Sequence, residues 1–135
     1  MPQPYAEYRR AYWAIPENRV RQKVNQDARN HSDKGRTASR NDKRKVRDTV
    51  MQAYSGNPPH CACCGELQDA FLCMDHVNGG GSQHRKTMKR ANIYQWLWSQ
   101  YLKNGEWPTG FQVLCYNCNC AKGFRGTCPH TQEVT

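Results

Sequence analysis

The sequence has little apolar content and no long apolar run. Apolar residues make up 37% of its 135 residues, and the mean hydropathy is −1.00. No apolar run approaches the roughly 18 residues of a membrane-spanning helix. Charges and aromatic rings fill the N-terminus, where an export signal has an apolar segment. These absences argue against a membrane protein. They predict a chain that is compact over only part of its length and resides in a reducing compartment, the cytoplasm.

Acidic residues are also scarce, with 11 Asp and Glu against 20 Lys and Arg. Residues 1–55 hold 13 basic and 6 acidic side chains, whereas residues 56–135 hold 7 and 5. A basic stretch suits a polyanion because each Lys or Arg that neutralises a phosphate releases a counterion. We therefore expect a nucleic acid partner, DNA before RNA, although a solvated tail has the same composition. The oligomeric state stays open.

Two regions are expected, and no repeat occurs beyond two cysteine pairs. Residues 1–55 are predicted to form a basic arm with one or two helices, flexible or extended from Glu17 to Asn41 and helical over Asp42–Tyr54. Residues 56–135 are predicted to form the domain. Its elements are a strand over Phe71–Val77, a glycine-rich loop over residues 78–82, a helix over residues 87–103, a strand over Gly110–Cys115 and a helix over Asn117–Phe124.

Four cysteines form two CxxC pairs, Cys61 with Cys64 and Cys115 with Cys118. Each CxxC turn presents two thiolates, and two such turns complete the tetrahedral set of a structural zinc. A pair of disulfides is the alternative, and a reducing compartment disfavours it.

Four further thiols lie outside the pairs: Cys63, Cys73, Cys120 and Cys128. Cys73 is expected to be a small buried residue. Cys120, Cys128 and His130 form a weaker hypothesis for a second metal, because their spacing is not paired.

Asp75 and His76 are adjacent on the first predicted strand, so their side chains should point to opposite faces. A neutral imidazole near pH 7 suits a general base, and a carboxylate oxygen suits Mg²⁺ or Mn²⁺. Both groups are what phosphodiester hydrolysis requires.

Seven motif elements follow one another in an order that resembles the HNH endonuclease family. They are contained in Cys61-x-x-Cys64-Gly65, Phe71-Leu72-x-x-Asp75-His76-Val77, a glycine-rich loop, and Phe111-Gln112-Val113-Leu114-Cys115-x-x-Cys118-Asn119-x-x-Lys122-Gly123. The likeness is greatest to phage-encoded, zinc-stapled members, which act in the bacterial host cell, and it covers residues 58–130. It implies a small α+β domain with a ββα-metal (His-Me finger) nuclease core that cleaves DNA.

The resemblance also implies roles for individual residues. His76 corresponds to the general base, while Asp75 and Asn119 correspond to ligands of a catalytic Mg²⁺ or Mn²⁺. The middle asparagine of the family falls at Gly110 in this chain, with Asn78, Asn104 and Asn117 as alternatives for its role. That departure favours a second reading, a non-catalytic zinc-stapled DNA-binding module.

Residues around the motif supply further candidates. His84 and Asn78 are possible additional site residues, although a solvated loop is the more common setting for a histidine such as His84. The predicted contacts to the DNA backbone are Arg85, Lys86, Lys89, Arg90, Lys122 and Arg125. Three tryptophans are expected to serve as core and lid rather than as base-stacking platforms: Trp96, Trp98 and Trp107.

Overall fold

A computed structural model describes residues 4–89 and 91–131 of the chain. It is a small α+β protein, mostly helical, with one two-stranded antiparallel sheet. The elements are α1 (Pro4–Ala14), α2 (Pro16–His31), α3 (Asp33–Ser55), β1 (Leu72–His76), α4 (Gly81–Thr87), α5 (Ile93–Asn104), β2 (Phe111–Cys115) and α6 (Tyr116–Arg125). Within those described ranges, no helix is both long and apolar enough to cross a bilayer.

The chain divides into two compact units, residues 1–42 and residues 43–135. The boundary expected after residue 55 therefore lies earlier. The reason is that the last turns of α3 bury Val50 and Met51 completely, which makes this part of the helix a component of the second unit.

The prediction of a flexible or extended segment from Glu17 to Asn41 is wrong. Residues of this segment form most of α2 and the first turns of α3, so the arm contains three helices rather than one or two. Helix α2 buries no residue, which explains why apolar periodicity gave no signal in this segment. Pro16 at the first position of α2 and Glu17 in its first turn were the available signals, since both favour a helix N-terminus.

The turn between α2 and α3 is built by Ser32. Its hydroxyl donates to the Arg29 carbonyl at 2.6 Å and accepts from the Gly35 amide at 3.1 Å, which caps the start of α3. Gly35 is required because a Cβ at this position would lie 2.0 Å from the Arg29 carbonyl oxygen. This serine and glycine, with Asp33 between them, form a helix junction rather than an unstructured loop.

In the second unit, both strands and the last helix occur where the sequence predicts them. β1 pairs with β2 so that Leu72 lies opposite Cys115 and His76 lies opposite Phe111. The predicted helix over residues 87–103 is corrected to α5, because the Asn92 side chain accepts from the Gln95 amide at 2.9 Å and starts the helix there. The end predicted at Asn104-Gly105 is confirmed by the left-handed Gly105. Part of the expected glycine loop instead forms α4.

The core of the second unit is half cysteine. Its buried cluster consists of Met51, Cys61, Leu72, Val113, Leu114, Cys115, Cys118 and Cys128. Thiols bring less apolar surface to a core than leucine or isoleucine does, so burial alone stabilises this unit weakly. Val50 and Met51, on the last turns of α3, are fully buried.

Arg47 connects α3 to the start of β1. Its guanidinium donates to the Asp69 carboxylate at 2.7 Å and to the backbone oxygens of Asp69 and Leu72 at 3.1 Å each. The same group lies 5.6 Å from the ring centre of Tyr94. Arg47 therefore makes its contacts within the domain, although it belongs to the basic sequence of this helix.

Candidate functional site

The four cysteines of the two CxxC pairs converge. Their sulfur atoms all lie within 4.8 Å of one another, so the predicted clustering is confirmed and the group can hold a metal ion. The turn after Cys61 closes with the Gly65 amide donating to the Cys61 carbonyl at 3.0 Å. Cys115 ends β2 and caps α6, its sulfur accepting from the Cys118 amide at 3.4 Å. Each pair is thus held by its own backbone turn.

The thiols of this group differ in their readiness to ionise. Burial opposes ionisation of Cys61, but backbone N–H groups, led by that of Cys64, outweigh it and lower the pKa of Cys61 to about 6. Burial raises the pKa of Cys118 well above its ordinary value, and hydrogen bonds to neighbouring thiols, first Cys115, add to the rise. Cys61 is therefore predisposed to ionise, whereas Cys118 needs a cation beside it to lose its proton.

A second group of possible ligands lies next to the first and includes one of its members. The ligand atoms of Cys63, Cys118, Cys128 and His130 also lie within 4.8 Å of one another. The second-metal hypothesis from sequence is corrected in its membership. Cys120 is exposed and belongs to neither group, and Cys63 stands in its place.

Asp75 is held from β2 and from α6. Gln112, its partner in the sheet register, donates to Asp75 Oδ2 at 2.8 Å. Lys122 donates to the same oxygen at 2.5 Å and to the His76 carbonyl at 2.6 Å. Both side-chain contacts end on Oδ2, so the carboxylate is fixed in orientation by a neutral donor and a cation.

His76 points away from Asp75, as adjacent strand residues do. Its Nε2 lies 2.8 Å from His84 Nδ1, and its ring packs 4.8 Å from that of Phe111. A Cβ on Gly81 would lie 3.2 Å from His76 Nδ1, so only glycine leaves this edge of the ring open. Burial, followed by the nearby His84, lowers the pKa of His76, although Asp75 acts in the opposite direction. The imidazole is thus neutral near pH 7.

His84 is not the solvated loop residue that its sequence context suggests. It lies on α4, partly buried, with its ring 4.2 Å from that of Trp96 on α5. Its Nε2 is buried and has no hydrogen-bond partner among the residues that the structure describes. The histidine is therefore a positioned neighbour of His76.

Asn119 reaches the same region from α6. Its amide nitrogen donates to the Cys73 sulfur at 3.3 Å, which sets the direction of its carbonyl oxygen. A cleft of about 600 Å³ is lined by Asp75, His76 and Asn119, with Arg85 at its wall. A second cleft, of about 410 Å³, also borders Asp75 and Asn119 and is lined in part by Asn78. The fold thus brings Asn119 of α6 to the residues that the sequence selected on and after β1.

The predicted DNA contacts lie in different settings. Arg85 lines the larger cleft, and Lys86, Lys89 and Arg125 are exposed. Lys122 differs from the expectation of a backbone contact, because Asp75 and the His76 carbonyl engage its ammonium group. Arg90 lies outside the described residues.

The position of the missing middle asparagine carries a backbone contact. Gly110 adopts a left-handed conformation with φ of 88°, and its carbonyl accepts from the Val77 amide at 2.9 Å. The segment that follows His76 is therefore anchored without a side chain. Of the alternatives, Asn78 lines the smaller cleft, whereas Asn104 and Asn117 are exposed.

Sequence reasoning missed two partners of the site. Gln112 was visible only as a polar residue in an apolar strand, and its contact with Asp75 depends on a strand register that the sequence does not specify. Cys63 was counted among the thiols outside the pairs and was given no part in the second-metal hypothesis, whereas the structure places it in the second group of possible ligands. The available signal was its position in sequence between Cys61 and Cys64, which brings its thiol close to theirs.

Searches against protein-family models, curated proteins and solved structures return no match for this chain.

Proposed function

We propose that this chain is a metal-dependent endonuclease of the HNH type that hydrolyses phosphodiester bonds in DNA. The observation that carries the proposal is the meeting of Asp75, His76 and Asn119 at one cleft of about 600 Å³ with Arg85 at its wall. A neutral base, two oxygen donors and a cation for phosphate are the groups that such hydrolysis needs.

Asp75 and Asn119 would hold the catalytic Mg²⁺ or Mn²⁺. Their oxygens are hard ligands of the kind both ions prefer, and the contacts of Asp75 to Gln112 and Lys122 end on Oδ2, so Oδ1 is the oxygen offered to the cleft. The cation supplies charge that stabilises the phosphate and the leaving 3′ oxygen.

His76 acts as the general base through one ring nitrogen, and His84 determines which one. When His76 carries its proton on Nε2 and donates to His84 Nδ1, its Nδ1 is the free acceptor that deprotonates water. Gly81 leaves room at that nitrogen. His84 is thus a positioning residue, and Arg85 holds a phosphate near the base.

We further propose that the group of Cys61, Cys64, Cys115 and Cys118 holds a structural zinc. Four sulfurs bound to zinc at about 2.3 Å lie about 3.8 Å apart, and the Cys64 and Cys115 sulfurs are already 3.6 Å apart. The half-cysteine core is the reason that the metal contributes to folding.

A plasmid cleavage assay titrated with Mg²⁺ or Mn²⁺ tests the nuclease proposal. We expect nicked or linear product from the wild type only with added cation, and a rate at least ~100-fold lower for His76→Ala, since general bases contribute factors of this size. His60→Ala removes an exposed histidine outside the cleft and is the matched control. A wild type that binds the plasmid but cuts it with neither cation refutes the enzyme.

One contact favours a second candidate, a non-catalytic DNA-binding module. Lys122 neutralises Asp75, and an ammonium group at a carboxylate competes with a divalent cation for it. This module would shift the plasmid in a gel with unchanged affinity after His76→Ala and without any cleavage.

A further inference from the structure

The two groups of possible ligands are joined at Cys118. One group has Cys61, Cys64 and Cys115 in addition to it, and the other has Cys63, Cys128 and His130. Cys118 is fully buried between them, at the start of α6. Seven side chains therefore offer two sets of four ligand atoms with one sulfur in common.

Distances in the second set suit a single ion. His130 Nδ1 lies 3.4 Å from the Cys118 sulfur and 3.5 Å from the Cys128 sulfur. A tetrahedral zinc with bonds of about 2.0 Å to nitrogen and 2.3 Å to sulfur places those atoms about 3.5 Å apart. A histidine nitrogen between two thiols has a more favourable partner in a metal than in weak S–H donors.

Charge also favours a second ion. A lone zinc bound to four thiolates leaves a net charge of −2, and Cys63 and Cys128 remain beside it as thiols. Two zinc ions with six thiolates and a neutral imidazole again sum to −2, with every ligand used. The second ion thus allows two more thiols to ionise without adding net charge to the cluster around the buried Cys118.

We propose that the chain binds two zinc ions in one cluster, with the thiolate of Cys118 bridging them. The second ion is held by Cys63, Cys118, Cys128 and His130, and each thiol that binds it releases its proton to solvent. It ties the turn over Pro129–Thr131, which follows α6, to the first CxxC turn. This proposal does not depend on the nuclease activity.

Zinc stoichiometry of the full-length protein tests the proposal, measured by native mass spectrometry and by elemental analysis. We expect two zinc ions per chain in the wild type and one in His130→Ala, because the first set remains complete. Cys120→Ser, which removes an exposed thiol outside both sets, should keep two. His130→Cys, unlike His130→Ala, should bind two zinc ions, because a thiolate takes the place of the imidazole.

Cadmium-113 NMR of the cadmium-exchanged protein tests the bridge itself. A shared thiolate transmits spin coupling, so the wild type should give two resonances that split each other, and His130→Ala a single unsplit one. One zinc in the wild type overturns the proposal, as does a second zinc that survives His130→Ala. Two resonances without mutual splitting show separate ions and overturn the bridging role of Cys118.

Discussion

His76 and His84 form a pair in which the second histidine tunes the first. The base must be neutral to accept a proton, and burial together with His84 lowers its pKa from 6.5. The neutral fraction therefore persists to lower pH than for a free imidazole. We expect the acid limb of kcat/KM for plasmid cleavage to have its midpoint below pH 6.5.

Removing His84 should move this limb in the opposite direction. His84→Ala takes away the neighbouring ring that disfavours the charged form of His76, so the pKa of His76 rises and the acid limb shifts to higher pH. The rate at the plateau should also fall, because the tautomer is no longer fixed. His84→Gln retains a hydrogen-bonding group and should keep part of the plateau rate. A lower rate with an unmoved acid limb would assign His84 a purely structural part.

We predict that Lys122 lowers the affinity of Asp75 for the proposed divalent cation, because its ammonium group contacts the same carboxylate. Lys122→Met removes the ammonium group from Asp75 Oδ2 and keeps a side chain of similar length. We expect half-maximal cleavage at a lower Mg²⁺ concentration, because the competing charge is gone. Arg125→Met removes a neighbouring exposed cation of α6 and should leave the midpoint unchanged. A midpoint that rises in Lys122→Met would show that Lys122 assists the cation.

At the scale of elements, Arg47 fastens α3 to β1. Arg47→Ala removes three hydrogen bonds, two of them to backbone oxygens, and we expect about 1–2 kcal/mol lower stability. The expected loss of stability is no larger because the Asp69 side chain is 65% exposed, so solvent screens its ion pair with Arg47.

The measurement is urea unfolding followed by tryptophan fluorescence on zinc-loaded protein. Arg44→Ala, on an exposed position of the same helix, is the control and should change the unfolding free energy little. Equal midpoints for both variants would contradict the fastening role of Arg47.

The elements of the second unit were predictable where their pattern is local. Both strands carry apolar or β-branched residues between turn signals, and Gly105 marks the end of α5. Helix α2 and the first turns of α3 were not predictable in this way, because they lack a buried apolar face and depend on propensity and on the Ser32 cap. The start of α5 was missed because the capping role of Asn92 is visible only from its bond to Gln95.

At the scale of the whole molecule, the first unit supplies positive charge. Residues 1–42 contain nine Lys and Arg, and most of their side chains are exposed on helices. Deleting these residues should weaken DNA binding and flatten its dependence on salt, because fewer counterions are released. Zinc content and cooperative unfolding of the remainder should persist, since Val50 and Met51 are retained.

Fluorescence anisotropy with a DNA duplex over a series of salt concentrations measures the slope. The matched variant replaces Arg19, Arg21 and Lys23 by Gln, which keeps α2 helical while removing three charges. Its slope should fall by up to ~0.9 for each lost phosphate contact. If the deletion variant and the triple-Gln variant both keep the salt slope of the wild type, the first unit takes no part in binding.

The candidate site was predictable in its members but not in their connections. Residue chemistry selected Asp75 and His76, whereas Asn119 was selected by the resemblance of the motif order to the HNH family. Their partners depend on the pairing of β1 with β2 and on the packing of α6, which bring residues about 40 positions apart into contact. Gln112 and Lys122 at Asp75 are the examples.

Cys118 and Asn119 are consecutive residues of α6, so the cysteine cluster and the proposed catalytic ligand share one turn of helix. A chelator that strips the thiolates would release the start of α6 and displace Asn119 with it. Loss of cleavage in EDTA is therefore no proof of a catalytic cation in this protein. Recovery of cleavage on addition of Mg²⁺ alone would be such proof. If cleavage returns only when Zn²⁺ is also added, the loss came from removal of the proposed structural zinc.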